Sequence, residues 1–340
     1  MKNNFIKILF AILIIGGLGY FFYQKSQDSE SVVSSAASKA LLAEYEAEKL
    51  VAKYPIVPID ELYADNPEAI AMLDTLKLRY KTAFESLVKQ TQASGAKMVF
   101  CWITSEPTIP MQLVGRAYIE NLCKDNNVDF VDLNPAILNQ DPLKITFMPV
   151  DGHLNKTGNQ LVTDLLIAYL KKYEDVKAIS QYQQNEMPET FGDFEANKNE
   201  ILDGGKGLPY KLVTNKQGLR MDYDLTYPKT KQRILLMGDS GFFSPFVDNA
   251  DAISGQLQTA FPEKEIINAA NWGYSIDDYL SQWNDKIKYM QPDVVLLQSS
   301  GEDIAAEFFT QRLRFSRNKD KVKPTEQELK FYATLKPSAE

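Results

Sequence analysis

Five short runs in this sequence are apolar almost throughout: residues 97–103, 128–133, 233–237, 265–269 and 293–298. Such runs read as strands buried on both faces, which is the pattern of a parallel sheet covered by helices on each side. Helix-length segments lie between and around them, at 67–92, 112–124, 157–173, about 251–260 and 276–290, with a further one at 40–54. In the 67–92 segment the apolar members are Ala71, Leu73, Leu76, Leu78, Phe84 and Leu87. The alternation predicts an α/β fold, a three-layer α/β/α sandwich around a mainly parallel five-stranded sheet. Two of the strands come from the first half and three from the second, and neither half would bury its strands alone.

Composition narrows the function classes. Hydrophobic residues at 44% and charged residues at 24% are ordinary globular values and exclude a collagen, a coiled-coil rod and a wholly disordered chain. A formal charge of −8 argues against nucleic acid as a partner. Two cysteines, Cys101 and Cys123, are too few for a disulfide scaffold or a Cys-rich zinc site. They read as buried thiols, with a bridge between strand and helix as the alternative. The single histidine, His153, is the tightest constraint: any Ser-His or Cys-His chemistry must use it, and no multi-histidine metal site can be built. Neither a Gly-rich phosphate loop nor a nicotinamide fingerprint is present, so no metal and no cofactor are expected.

The amino terminus carries its own signal. Ile8 to Tyr23 is uncharged and mostly apolar, and the run reaches about nineteen residues, 5–23, if Lys7 snorkels to the headgroups. No small-residue cleavage site follows Tyr23, which favours an uncleaved transmembrane anchor. Lys2 and Lys7 precede the span while Asp28 and Glu30 follow it, which puts the amino terminus in the cytoplasm and the bulk of the chain outside it. The expected layout is a transmembrane anchor (5–23), a spacer with a juxtamembrane helix (24–66), a first half-domain (67–175), a polar, turn-rich linker or insertion (176–209), a second half-domain (210–310) and a charged helical tail (311–340).

Two segments carry residues suited to chemistry. In the first, the buried run 233–237 leads straight into Gly238-Asp239-Ser240, which sets Ser240 at the carboxyl end of a strand, where open α/β sheets bind ligands. Phe242 stands where the α/β-hydrolase elbow needs its second glycine, which argues against that fold. The second is Asp151-Gly152-His153-Leu154-Asn155, an irregular segment just before a helix that Asn155 can cap. Asp151, two positions before His153, can turn its carboxylate to Nδ1 and leave Nε2 to act as a base.

These segments resemble the motif blocks of the SGNH, or GDSL, hydrolases. Gly238-Asp239-Ser240 resembles the nucleophile block, and Asn268 to Ser275, with Gly273, the second block, whose glycine donates a backbone N–H. Gln298 to Asp303 falls where the third block carries Gly-x-Asn-Asp, and the Asp151–His153 segment resembles the final block. The order is rearranged, with the His block before the Ser block, which resembles a circular permutation of the kind found in alginate O-acetyltransferases.

The resemblance implies a Ser240–His153–Asp151 triad, with the Ser240 and Gly273 amides as the oxyanion hole. Glu302 occupies the position of the family's oxyanion asparagine, and an ionised carboxylate would repel the developing charge there. Ser299 or Ser300 would then supply a further hydroxyl donor. Trp272, Tyr274 and Phe242 are the candidates for substrate contact, Phe242 with Phe243 and Phe246 as an acyl pocket; core packing is the competing role. The implied substrate is a small acyl ester or an acylated carbohydrate of the cell envelope, used by hydrolysis or transfer. A transferase would draw on a multi-pass acyltransferase partner. A catalytically degenerate SGNH-like binding or scaffold protein of an envelope complex is the alternative.

Overall fold

Buried side chains on the first helix, α1 (Pro67–Ala93), recur at spacings of three and four: Leu73, Leu76, Tyr80, Phe84 and Leu87. Leu78 falls off this face and is 66% exposed, so it is not a core member. The computed structural model describes residues 67–104, 115–178, 187–304, 317 and 326. The expected membrane span, the helix at 40–54 and nearly all of the tail lie outside the described residues. No helix among the described residues is long and apolar enough to cross a membrane.

Gly95, at φ 80°, turns the chain from α1 into β1 (Lys97–Trp102). There follow α2 (Arg116–Asp125), β2 (Asp129–Asp132), two one-turn helices α3 (Pro135–Leu138) and α4 (Pro142–Ile145), and a small hairpin of β3 (Thr146–Phe147) and β4 (Asp151–Leu154). Helix α5 (Lys156–Leu170) is capped by Asn155, whose Oδ1 accepts from Thr157 N and Gly158 N at 2.9 and 3.1 Å. A second antiparallel hairpin, β5 (Asn199–Leu202) with β6 (Tyr210–Val213), comes next. The remainder runs β7 (Arg233–Met237), α6 (Ser240–Phe243), α7 (Ile253–Ala260), β8 (Glu265–Asn268), α8 (Ile276–Asp285) and β9 (Val294–Ser299).

Five of these strands form one parallel sheet in the order β2-β1-β9-β7-β8. They are the five apolar runs expected from the sequence. The last strand, β9, pairs with β1 on one side and β7 on the other, so it joins the two halves of the chain into one sheet. Period-two alternation sorts the strand side chains between two cores. Phe100, Trp102, Leu235, Met237, Val295 and Leu297 face α1, α2 and α8, while Val99, Cys101, Ile234, Leu236, Val294 and Leu296 face α5 and α7. Each helical layer mixes the halves: α1 packs on α8, and α5 on α7. Cys101 and Cys123 are free, buried thiols in different cores, and burial pushes both thiols up.

Three segments differ from the sequence expectation. The stretch 176–209, expected as an irregular linker, contains β5. The helix expected over 276–290 ends at Asp285, because Lys286 leaves the helical region (φ −139°, ψ −51°) before a 3-10 turn over Ile287–Met290. The apolar spacing runs on through Ile287 and Met290, both buried, which is why the pattern alone overran the helix. Arg317, expected on a solvated tail helix, instead pairs with Asp193 at 3.0 Å and Asp285 at 2.8 Å.

At the amino-terminal edge of the sheet, Arg233 and Glu265 sit opposite each other in register, both almost fully buried. Arg233 donates to Glu265 Oε2 and Met290 O, each at 2.6 Å, and to Thr226 O at 2.5 Å. Removing one buried partner strands the other charge. Glu265→Ala is expected to lower the unfolding free energy by about 3–5 kcal/mol in denaturant titration. Arg233→Met with Glu265→Leu is expected to recover most of that loss; a single variant within 0.5 kcal/mol of wild type, roughly the size of a neutral surface change, would contradict this account.

Candidate active site

Because every strand of the main sheet is parallel, all five carboxyl ends lie along one edge. From β1 the chain moves outward to β2, and from β7 outward to β8 in the opposite sense, so the crevice where the direction reverses lies at the centre of that edge. Ser240 starts α6 directly after β7, at this edge. From Arg233 to Val247 every residue is buried except Ser240, which is partly exposed. Ser240 is thus the one residue of this segment that solvent reaches, on an otherwise buried turn.

The turn is supported by Gln298 on β9. Its Oε1 accepts from Asp239 N at 3.0 Å and Phe242 N at 3.3 Å, and its Nε2 donates to Ile103 O at 3.4 Å. This side chain fills the space beneath the turn. A Cβ on Gly238 would stand 2.4 Å from Gln298 Oε1, and one on Gly241 2.8 Å from Nε2, so a side chain at either glycine would displace the amide that supports the turn. Asp239 caps α6, accepting from Gly241 N at 2.7 Å. Asn268, at the end of β8, donates to Phe242 O at 3.3 Å, and Asn271 N donates to Gly238 O at 3.0 Å. The loop carrying Gly273 is thereby tied to the turn carrying Ser240.

The segment after α6 is held under strain. Ser244 and Phe246 have φ 55° and 60°, a region that bulky side chains rarely occupy. Arg220, 2% exposed, gathers this segment by donating to the carbonyls of Phe243, of Ser244 at 2.8 Å and of Val247 at 2.5 Å, and to Asn249 Oδ1 at 3.1 Å. Burial pushes its guanidinium down to about 10. Phe246 is thus held with its ring 6.1 Å from the His153 ring and 5.5 Å from Trp272.

Asp151 and His153 lie on β4, a strand of the small hairpin rather than the irregular segment the sequence suggested. Asp151 Oδ1 is 2.6 Å from His153 Nδ1 and also accepts from His153 N at 2.9 Å. Both side chains are under a tenth exposed. Burial by itself would raise the Asp151 carboxyl, but the hydrogen bonds from the His153 ring and backbone, with the charges of His153 and Lys206, outweigh it and hold the group below its ordinary value. The carboxylate therefore stays ionised at neutral pH. Helix α6 packs directly on β4, so the elements carrying Ser240 and His153 are neighbours although the sequence separates them by a hairpin, a helix and a strand.

Trp272, on the Gly273 loop, is partly exposed and lies 5.5 Å from the His153 ring. Gly273 has φ 62°, which a glycine adopts without a Cβ penalty. The other two aromatics expected to touch substrate are taken up by packing: Phe242 has no exposed surface, and Tyr274 belongs to the core on the α1 side, its hydroxyl donating to Asp193 at 3.1 Å. Ser299 and Ser300 are also buried, with Ser299 Oγ donating to Ser300 O at 3.3 Å. Glu302 falls in a 3-10 turn at the carboxyl end of β9, and its side chain lies outside the described residues. Among the described residues, no group of three or more His, Cys, Asp or Glu side chains is placed to hold a metal ion.

Gln298, Asn268 and Arg220 were not identified as site residues from the sequence. A lone glutamine ending an apolar strand is the one feature that could have drawn notice to Gln298; nothing local marks Arg220.

The chain matches no family model and no curated protein. Among solved structures, it is similar to the O-acetyltransferase domain of Pseudomonas putida AlgJ, at 14% identity and a TM-score of 0.43, covering 69% of this chain and 85% of that one. Bacillus cereus PatB1 is similar at 12% identity and a TM-score of 0.37, covering 68% and 91%. Pseudomonas aeruginosa AlgX is similar at 14% identity and a TM-score of 0.36, covering 67% and 58%. The chemistry of the site rests on its own residues.

Gln298→Leu keeps the volume but leaves the Asp239 and Phe242 amides buried without an acceptor. It is expected to lower stability by about 2–4 kcal/mol in denaturant titration, from two such groups. A change below 0.5 kcal/mol, typical of a neutral surface site, would show that the turn does not depend on this side chain.

Proposed function

We propose that this protein is a membrane-anchored, extracytoplasmic SGNH-type acyl esterase or O-acetyltransferase that acts on cell-envelope or exported carbohydrate through Ser240, His153 and Asp151. The observation that carries the reading is the 2.6 Å Asp151–His153 contact on a strand packed against the helix that opens with Ser240, the one accessible residue of its segment. The uncharged run Ile8 to Tyr23 supports the anchor.

In this mechanism Asp151 accepts from Nδ1–H and so leaves Nε2 as the basic nitrogen. His153 Nε2 takes the Ser240 proton as Oγ attacks the acyl carbon, and the backbone amides of Ser240 and Gly273 stabilise the tetrahedral oxyanion. Collapse expels the alcohol, which receives the proton from the imidazolium, and leaves Ser240 acylated. Water, or a sugar hydroxyl, then gives its proton to His153 and attacks the acyl-serine; collapse breaks the Ser240 ester, and the imidazolium returns its proton to Ser240 Oγ. Hydrolysis and transfer use the same residues and differ only in this acceptor. A transferase of this kind would receive its acyl groups from a multi-pass membrane partner.

Glu302, in place of the family's oxyanion asparagine, favours a second reading, a binding or scaffold protein that retains the fold without turnover. One experiment separates the two. The full-length chain in mild detergent is expected to hydrolyse p-nitrophenyl acetate, with Ser240→Ala and His153→Ala near background and Asp151→Asn reduced roughly a thousand- to ten-thousand-fold. Hydrolysis absent from the wild type, or unchanged in Ser240→Ala and His153→Ala, would overturn the enzyme reading in favour of the second.

A further inference from the structure

The turn joining β5 to β6 lies against the Asp–His pair. Asp203 Oδ1 accepts from Gly205 N at 2.7 Å and Asp203 O from Lys206 N at 3.0 Å, closing a tight turn in which Gly204, Gly205 and Gly207 have positive φ. The hairpin is fastened to the segment after α6, where Asp248 Oδ1 accepts from Lys211 N at 2.7 Å and Asn249 Nδ2 donates to Val213 O at 2.8 Å. Its tip meets the site: a Cβ on Gly204 would stand 3.0 Å from Phe246 Cε1, and Phe246 is the ring beside His153. Lys206 Nζ stands 3.5 Å from Asp151 Oδ2, the carboxylate oxygen that His153 does not use.

We propose that Lys206 is a positioning residue for the Asp151–His153 pair. By holding Oδ2 it fixes the plane of the carboxylate, so that Oδ1 stays directed at His153 Nδ1. The inference rests on the triad reading above. With Oδ2 unbound, the carboxylate is held through Oδ1 alone and can turn about its Cβ–Cγ bond within the limits of the two His153 bonds, and each departure weakens the bond that selects the imidazole tautomer. Among the described residues, the titratable groups acting on Asp151 are His153 on its own strand and Lys206 on the turn. From the neighbouring elements, Asp239 of the α6 cap is bound to Gly241 N, and Lys156 at the start of α5 pairs with Asp251 at 3.0 Å. The Gly273 loop contributes the uncharged Trp272. Lys206 itself is 50% exposed, so solvent screens part of its effect.

Loss of this cation makes protonation of the Asp–His pair as a unit easier, since one of the positive charges beside it is gone. The test uses the full-length chain in mild detergent, with 15N in its single histidine, which yields one Nδ1–H resonance. Lys206→Met is expected to move that resonance and speed its exchange with water. It is also expected to lower kcat several-fold with KM unchanged, and to raise the acid limb of p-nitrophenyl acetate hydrolysis by about half a pH unit. Lys206→Arg is expected to restore all of these. Hydrolysis that depends on Ser240 and His153, with resonance and acid limb unchanged in Lys206→Met, would overturn the positioning role and leave the proposed function standing. A resonance that moves in a protein without Ser240-dependent hydrolysis would uphold the positioning role and overturn the enzyme reading.

Discussion

The pairing of β9 between β1 and β7 is the constraint on which the rest of this protein depends. It is the only arrangement in the main sheet that hydrogen-bonds a strand of the first half of the chain to strands of the second. With β9 in place, the carboxyl ends of β1, β7, β8 and β9 share one edge, and loops far apart in sequence meet there. The same strand carries Gln298, so the element that joins the halves also supports the turn beneath Ser240. Fold and candidate site are thus coupled through one strand, and a change in its register would move both.

The polar groups around the site are costly to bury and are almost all matched. Arg220 is enclosed with backbone carbonyls and Asn249 as its partners, and Gln298 satisfies two amides at the amino-terminal end of α6, where a helix has no partner of its own to offer. These contacts hold a strained segment, Ser244 to Phe246, in a shape that an unsupported loop would leave. The result is a wall of Phe246 and Trp272 around the imidazole, with the helix that opens at Ser240 packed on the strand that carries it. That economy matters for chemistry, because a site held by side chains buried in the sheet does not need to reorganise when charge develops.

Most of this fold was legible in the sequence because its strands are buried on both faces. Runs such as 97–103 and 293–298 have no exposed face to confuse their reading, and their ends fell within about a residue of the observed strands. The Asn155 cap was legible for a local reason, a short side chain reaching the amides two and three positions on. The β5–β6 hairpin was not, since Asn199, Glu200 and Ile201 are all exposed and show no alternation. The Asp151–His153 pair was visible as a spacing, whereas Lys206 and Gln298 matter through contacts with residues about 55 to 60 positions away, which no local pattern reveals. Phe242 and Tyr274 show the reverse case: aromatic residues beside motif glycines that the structure uses for packing.

The central claim is that Ser240 and His153 act as one unit. It is tested most directly by treating the full-length chain in mild detergent with an active-site sulfonyl fluoride and locating the adduct by peptide mass spectrometry. The account predicts a single modification on Ser240 that forms in the wild type and is lost in His153→Ala. Labelling of other residues, or labelling of Ser240 at the same rate without His153, would contradict it.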